Sequence, residues 1–170
     1  MNTKEEIAES LITLMKNKDF ENITVKEITG RARVNRSTYY RNFKSKEDIL
    51  KYKLGLIMDE YMDSFKEIKE KTKKDYIYTI LSTYSKHKDV FLVMHQAKQT
   101  YLLQQVYMEY FQNKIKNPST YDLYKTYYHM GGIYNFTICW IEHGMADNLE
   151  ELATIGAEIT EQFDPVLVDI

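Results

Sequence analysis

Only two prolines and six glycines are spread over 170 residues, and that scarcity of chain breakers constrains the fold more than any other feature. Proline removes a backbone donor and glycine frees the backbone, so a chain of many short strands and turns needs far more of both. No alternating strand pattern of useful length is present, and no segment repeats. With 44% apolar residues the chain can bury a core rather than stay disordered. The expectation is an all-α fold.

Helix starts are legible in the first third of the chain. Thr3-Lys4-Glu5-Glu6 has the spacing of a capping box, and Ile7, Leu11, Leu14 and Met15 follow at helical intervals. Thr24-Val25-Lys26-Glu27 is a second box, with Ile23 and Ile28 placed as the hydrophobic staple across its N-cap. Asn35 starts a third helix, flanked by Val34 and Tyr39. Ser45-Lys46-Glu47-Asp48 starts a fourth, with acids where the helix dipole favours them. Ile49, Leu50, Leu54, Ile57, Met58, Tyr61 and Phe65 carry that fourth helix far, until it fades into the mixed charges of 66–74. Further helical stretches are expected near 76–85, 90–95, 98–116, 121–143 and 149–163, broken most clearly at Asn117-Pro118-Ser119 and at 144–148.

The net charge of -2 hides an asymmetry. Between Lys26 and Lys46 stand seven basic residues (Lys26, Arg31, Arg33, Arg36, Arg41, Lys44, Lys46) against one acid, Glu27, whereas 142–170 holds eight acids and no lysine or arginine. The first segment suits a polyanion and the last repels one. Wound as a helix, 35–43 turns Tyr39 and Phe43, with Val34 before them, to one side, and Arg36, Ser37, Tyr40 and Arg41 to the other. Two arginines, a phenol and a hydroxyl on one exposed face suit base edges and phosphates. Two short capped helices, the second with a basic face, describe a helix-turn-helix.

The run from Phe20 to Ile28 and the run Val34-Asn35-Arg36-Ser37-Thr38-Tyr39-Tyr40-Arg41-Asn42-Phe43-Lys44-Ser45-Lys46-Glu47-Asp48-Ile49-Leu50 together resemble the DNA-binding signature of the TetR family of transcription regulators. The Thr-Val pair, the Thr-x-Tyr-x-x-Phe run and the Ser-Lys-Glu run stand in the family's order and spacing, within about the first 50 residues. The resemblance implies that Thr24 and Lys26 contact phosphate and that Arg36 and Ser37 lead into the major groove. It also implies that Thr38, Tyr40 and Arg41 meet phosphates and bases, that Lys46 holds a phosphate at a helix N-terminus, and that Phe43 is core. At the turn, Arg33 stands where the family has glycine, which leaves a strained residue or an altered turn; Asn42 stands where histidine is common.

Two helices near the end present two usable faces each. On 121–143, Leu123, Tyr127, Met130, Tyr134, Ile138 and Ile141 make one stripe, and Tyr128, Gly131, Gly132, Asn135 and Cys139 a second, smaller one. On 149–163, Leu152, Ile155, Ile159 and Phe163 make a stripe beside Ala153, Gly156, Ala157 and Thr160. Such faces favour a homodimer through a four-helix interface, and the resemblance implies the same. The 15 tyrosines, most after residue 50, are read either as core filler or as the lining of a pocket for an aromatic or cationic effector. Tyr61, Met94, Tyr101, Tyr107 and Tyr127 are the candidate ligand contacts, with Glu109 as a counter-charge.

The expected organisation is a helix-turn-helix DNA-binding domain over 1–48, joined by a long helix to a helical dimerisation and effector-binding domain over 49–170. No glycine-rich phosphate loop, nucleophile elbow or His-rich metal motif occurs, so neither an enzyme nor a metal or cofactor is expected; Cys139 and His143, four apart, lack a second pair. The start carries no secretory signal and the longest apolar stretch, Gly131 to Ile141, is too short and polar for a bilayer, so a cytoplasmic protein is expected. The function expected is a homodimeric repressor on a near-palindromic duplex operator, released by a small molecule. The alternative is a pocketless relative acting through a protein partner.

Overall fold

The computed structural model describes residues 2–69, 71–112 and 118–161. Among them are nine α-helices and no strand: α1 (Thr3–Met15), α2 (Val25–Arg31), α3 (Arg36–Asn42), α4 (Lys46–Lys66), α5 (Lys73–Lys86), α6 (Lys88–Gln96), α7 (Tyr101–Gln112), α8 (Thr120–Glu142) and α9 (Leu149–Glu161), with a single 3-10 turn at Phe20–Asn22. The all-α expectation is borne out. Asn113 to Lys116, at the expected end of the seventh helix, and Phe163 of the last stripe lie outside the described residues.

Capping decides the starts. Thr24 caps α2 with Glu27 as its reciprocal partner, as read from sequence, and Ser45, read as a helix start, caps α4 with Asp48 in the same reciprocal role. The first box is corrected by one residue: Asn2, not Thr3, is the N-cap, its side chain accepting from the Glu5 backbone N–H while Glu5 reaches back. Asparagine is the stronger cap, and it takes the position one residue earlier. Thr72 and Asp75 form a further box that starts α5 inside the charged run.

Ile7, Leu11, Ile28, Tyr39, Ile49 and Leu50 bury the centre of α1–α3 against the start of α4. Helix α4 continues unbroken into the second half, where Leu54, Ile57, Met58, Tyr61 and Phe65 meet α5 and α7. One core therefore runs through both halves.

The C-terminal faces differ from the stripes expected. On α8 the buried side is Thr126, Met130, Ile133, Thr137, Trp140 and Ile141, while Leu123 and Tyr127 are exposed. On α9 the small residues Ala153, Gly156 and Thr160 face inward and Ile155 and Ile159 face out, 41% and 54% exposed. The reason is close approach: a Cβ on Gly156 would lie 2.9 Å from Ile77 Cγ2. Helix α9 rests so near α5 that only its small face fits between them.

Candidate DNA-binding face

The turn between α2 and α3 positions the site. The Val34 N–H bonds the Thr29 carbonyl at 3.0 Å and the Arg33 N–H reaches the Gly30 carbonyl, the paired bonds that end a helix through a left-handed residue. Arg33 is that residue, with φ of 55°. The turn has the geometry that glycine favours, and an arginine bears the strain. Arg33→Gly is expected to raise stability by roughly 1 kcal/mol; urea denaturation checks it, and an unchanged or lower midpoint contradicts it.

Tyr39 and Phe43 anchor the recognition helix. Tyr39 is 1% exposed, and its ring centroid lies 6.5 Å from that of Phe43, which in turn meets Tyr52 of α4 edge-on at 5.7 Å. Phe43 is core, as expected. On the opposite side Arg36, Ser37 and Arg41 are exposed and Tyr40 is 62% exposed, standing edge-on to Tyr39 at 5.2 Å. Thr38 is half-buried and its hydroxyl accepts from Arg41 Nη2 at 3.4 Å. Lys26 and Thr24 are exposed at the start of α2. There the Thr24 hydroxyl donates to Glu27 at 2.8 Å. Lys18 beside Glu27, with the Thr24 amide and hydroxyl, holds that carboxyl down at about 2.

Lys46 has a competing commitment. Its ammonium donates to the carbonyls of Phe20, Glu21 and Ile23, at 3.0 Å for Ile23, and lies 4.5 Å from the centroid of the Phe20 ring. An ammonium has three N–H donors, and all three are used inside the protein. Lys46 thereby clamps the 3-10 turn onto the start of α4. Lys46→Met is expected to cost about 1–3 kcal/mol of stability. A salt slope of DNA binding that falls by about one with stability unchanged would return Lys46 to the phosphate.

Asn35 starts α3 as expected, but its backbone carbonyl alone does the capping. Its side chain makes no cap hydrogen bond and is exposed beside Arg36. The signal was available: α1, α2, α4 and α5 have Glu or Asp three residues after the cap, whereas Asn35 has Thr38.

The five candidate ligand contacts do not converge. Tyr61 and Tyr107 are buried and share a cavity of about 10 Å³ between α4, α5, α7 and α8. Met94 is buried on α6 but does not line that cavity, Tyr101 is exposed at the start of α7, and Tyr127 lines an outer groove. Glu109 is exposed and pairs with Lys51 at 3.7 Å, outside the cavity. Phenols fill the core: Tyr84 and Tyr107 share a hydrogen bond of 2.6 Å, and burial pushes the Tyr107 hydroxyl up to about 12.

Residues 3–52, which contain α1–α3 and the start of α4, match the family model described as bacterial regulatory proteins, tetR family. The N-terminal domain is a TetR-family domain. The fold of the rest agrees with that family. A TetR transcriptional regulator from Rhodococcus sp. RHA1 superposes with a TM-score of 0.62 at 16% identity, over 97% of each chain. The dihydroxyacetone kinase operon activator DhaS gives 0.58 at 16% identity, over 95% of this chain and 96% of that one. FadR from Bacillus subtilis, in complex with stearoyl-CoA, gives 0.55 at 19% identity, over 91% and 96%. No curated protein sequence matches the chain. Among the described residues no helix is long and apolar enough to cross a membrane.

Proposed function

We propose that this TetR-family chain is a sequence-specific DNA-binding regulator that acts as a homodimer, most simply a repressor released by a small molecule. The observation that carries the reading is the exposed face of α3, where Arg36, Ser37, Tyr40 and Arg41 stand together, backed by a buried Tyr39 and Phe43. Arg36 and Ser37 reach base edges; Thr24, Lys26, Thr38 and Arg41 contact phosphates; Tyr40 lies along the groove wall. Lys46 acts by holding the turn.

The dimer is supported by what α8 and α9 leave uncovered. Ile159, Tyr127, Tyr128, Gly131 and Gly132 border a groove of about 550 Å³ along these helices, with Ile155 exposed beside it. An apolar stretch of this kind marks an association surface, and two copies of it build a four-helix interface. The dimer then sets two recognition helices about 34–36 Å apart, to meet successive major grooves.

The direct test is selection of bound sites from random duplex DNA across a range of salt. A near-palindrome with a steep salt slope is expected; no enrichment and purely salt-driven binding would overturn autonomous operator recognition. On the selected site, Arg36→Ala should weaken binding by about 1–3 kcal/mol, mostly at one base position. Equal loss at every sequence would remove Arg36 from base reading.

One observation favours a second reading, a pocketless regulator acting through a protein partner. The cavity at Tyr61 and Tyr107 measures about 10 Å³, the space of a single water rather than of an effector. An effector bound at that cavity must part α4, α5, α7 and α8 to enter, and one similar fold belongs to an operon activator. Ligand-induced loss of operator affinity supports the first reading; operator binding altered only by a second protein supports the other.

A further inference from the structure

Asparagine stands immediately before three helices, α1, α3 and α9, and before one of them its side chain does no capping. Asn2 before α1 accepts the Glu5 N–H at 3.0 Å, and Asn148 before α9 accepts the Glu151 N–H at 3.1 Å. Asn35 before α3 makes no such bond. The Thr38 and Tyr39 N–H groups go instead to its backbone carbonyl, at 3.0 and 3.2 Å. Where Asn2 and Asn148 have a glutamate three residues on, Asn35 has Thr38, which carries no carboxylate to close a capping box. The Asn35 carboxamide is left exposed, in sequence with Arg36 and Ser37, which are exposed as well.

A free carboxamide carries an acceptor oxygen and two N–H donors. In the major groove adenine presents the N6 donor beside the N7 acceptor, which that group matches with two hydrogen bonds; guanine presents two acceptors, which an arginine matches. We propose that Asn35 is a specificity-determining residue whose carboxamide reads an adenine next to the base pair read by Arg36. The proposal rests on the DNA-binding reading of α3 and adds a base identity to it. An asparagine whose amide is spent on a cap must break that bond before it turns to a base, and the helix start loses stability as it does. Asn35 has no cap bond to give up, and its carbonyl holds the first N–H groups of α3 whatever the side chain does. Neighbouring Asn and Arg side chains with these preferences call for an A·T pair beside a G·C pair in each half-site.

The test selects bound sites from random duplex DNA with the wild type and with Asn35→Ser, which supplies a good cap and no carboxamide. Urea midpoints establish that the variant is folded. The wild type is expected to enrich an A·T pair beside the pair that Arg36→Ala relaxes, and Asn35→Ser to lose that preference and keep the rest of the site. On the selected duplex, 7-deazaadenine at that position lacks the N7 acceptor. It should weaken the wild type about tenfold, within the discrimination of one bidentate pair, and leave Asn35→Ser unaffected. An unchanged preference in Asn35→Ser, a loss spread over the whole site, or equal loss of both proteins on 7-deazaadenine would overturn the assignment while DNA binding stands. A wild type that enriches no sequence overturns the DNA reading itself, and the role of Asn35 with it. If Asn35→Ser does not fold, the wild type alone decides: a loss on 7-deazaadenine beside the Arg36 position supports the proposal, and no loss there overturns it.

Discussion

Phe43→Ala should abolish operator binding and destabilise the N-terminal domain by about 3–5 kcal/mol, the range for emptying a buried aromatic site. Phe43 follows the last residue of α3 and is 5% exposed. Its ring touches Tyr39 of the recognition helix and Tyr52 of α4, with the Lys4 ammonium of α1 6.0 Å from its centroid. Three helices are thus held by one side chain that reaches no DNA. Truncation leaves a cavity at the point where α3 is fixed, so the basic face loses its orientation even where the chain stays folded. Chemical denaturation and a binding titration check both parts. A variant that keeps operator affinity would show that α3 is positioned by Tyr39 alone.

Acidification from pH 6.5 to 4 should cost on the order of 3 kcal/mol of stability through one side chain, His129. Its imidazole is half-buried between α5 and α8, with Nε2 3.2 Å from the Tyr76 hydroxyl and the two rings 5.6 Å apart. Burial, then the charge of Lys125, lowers it to about 4, against 6.5 ordinarily. The folded protein therefore holds fewer protons than the unfolded chain inside that window. Stability is fully present above 6.5, falls as pH drops, and levels off below about 4. Urea midpoints across this range, compared with His129→Gln, isolate the contribution, since the variant cannot take up the proton. Parallel curves for the two proteins would show that His129 is solvated.

Much of the N-terminal domain was legible because its signals are local. A cap and its acid partner lie three residues apart, and a staple five, so the starts at Thr24 and Ser45 needed no knowledge of the rest of the chain. The exposed basic face of α3 was legible for the same reason: Tyr39 and Phe43 fix which side is buried, and Arg36, Tyr40 and Arg41 must take the other. The Asn2 cap was missed because two overlapping boxes compete and sequence spacing alone does not rank them.

The C-terminal half shows where such reading ends. Apolar periodicity says that α9 has a bulky face and a small face, but not which one turns inward. The distance between α5 and α9 decides that, and only Gly156, Ala153 and Thr160 fit it. The bulky isoleucines are left outside, on the face proposed for the dimer. The fate of a long charged side chain is equally nonlocal. The family resemblance implies a phosphate contact for Lys46, while in the fold three carbonyls about two dozen residues earlier accept its hydrogens. The sequence by itself determined most of the helices, the caps at Thr24 and Ser45 and the basic face, because each depends on neighbours within a turn or two. Only the tertiary structure decided which helix faces are buried, whether the tyrosines enclose a cavity, and where Lys46 and His129 place their hydrogen bonds. Those outcomes depend on distances between segments that no local pattern encodes.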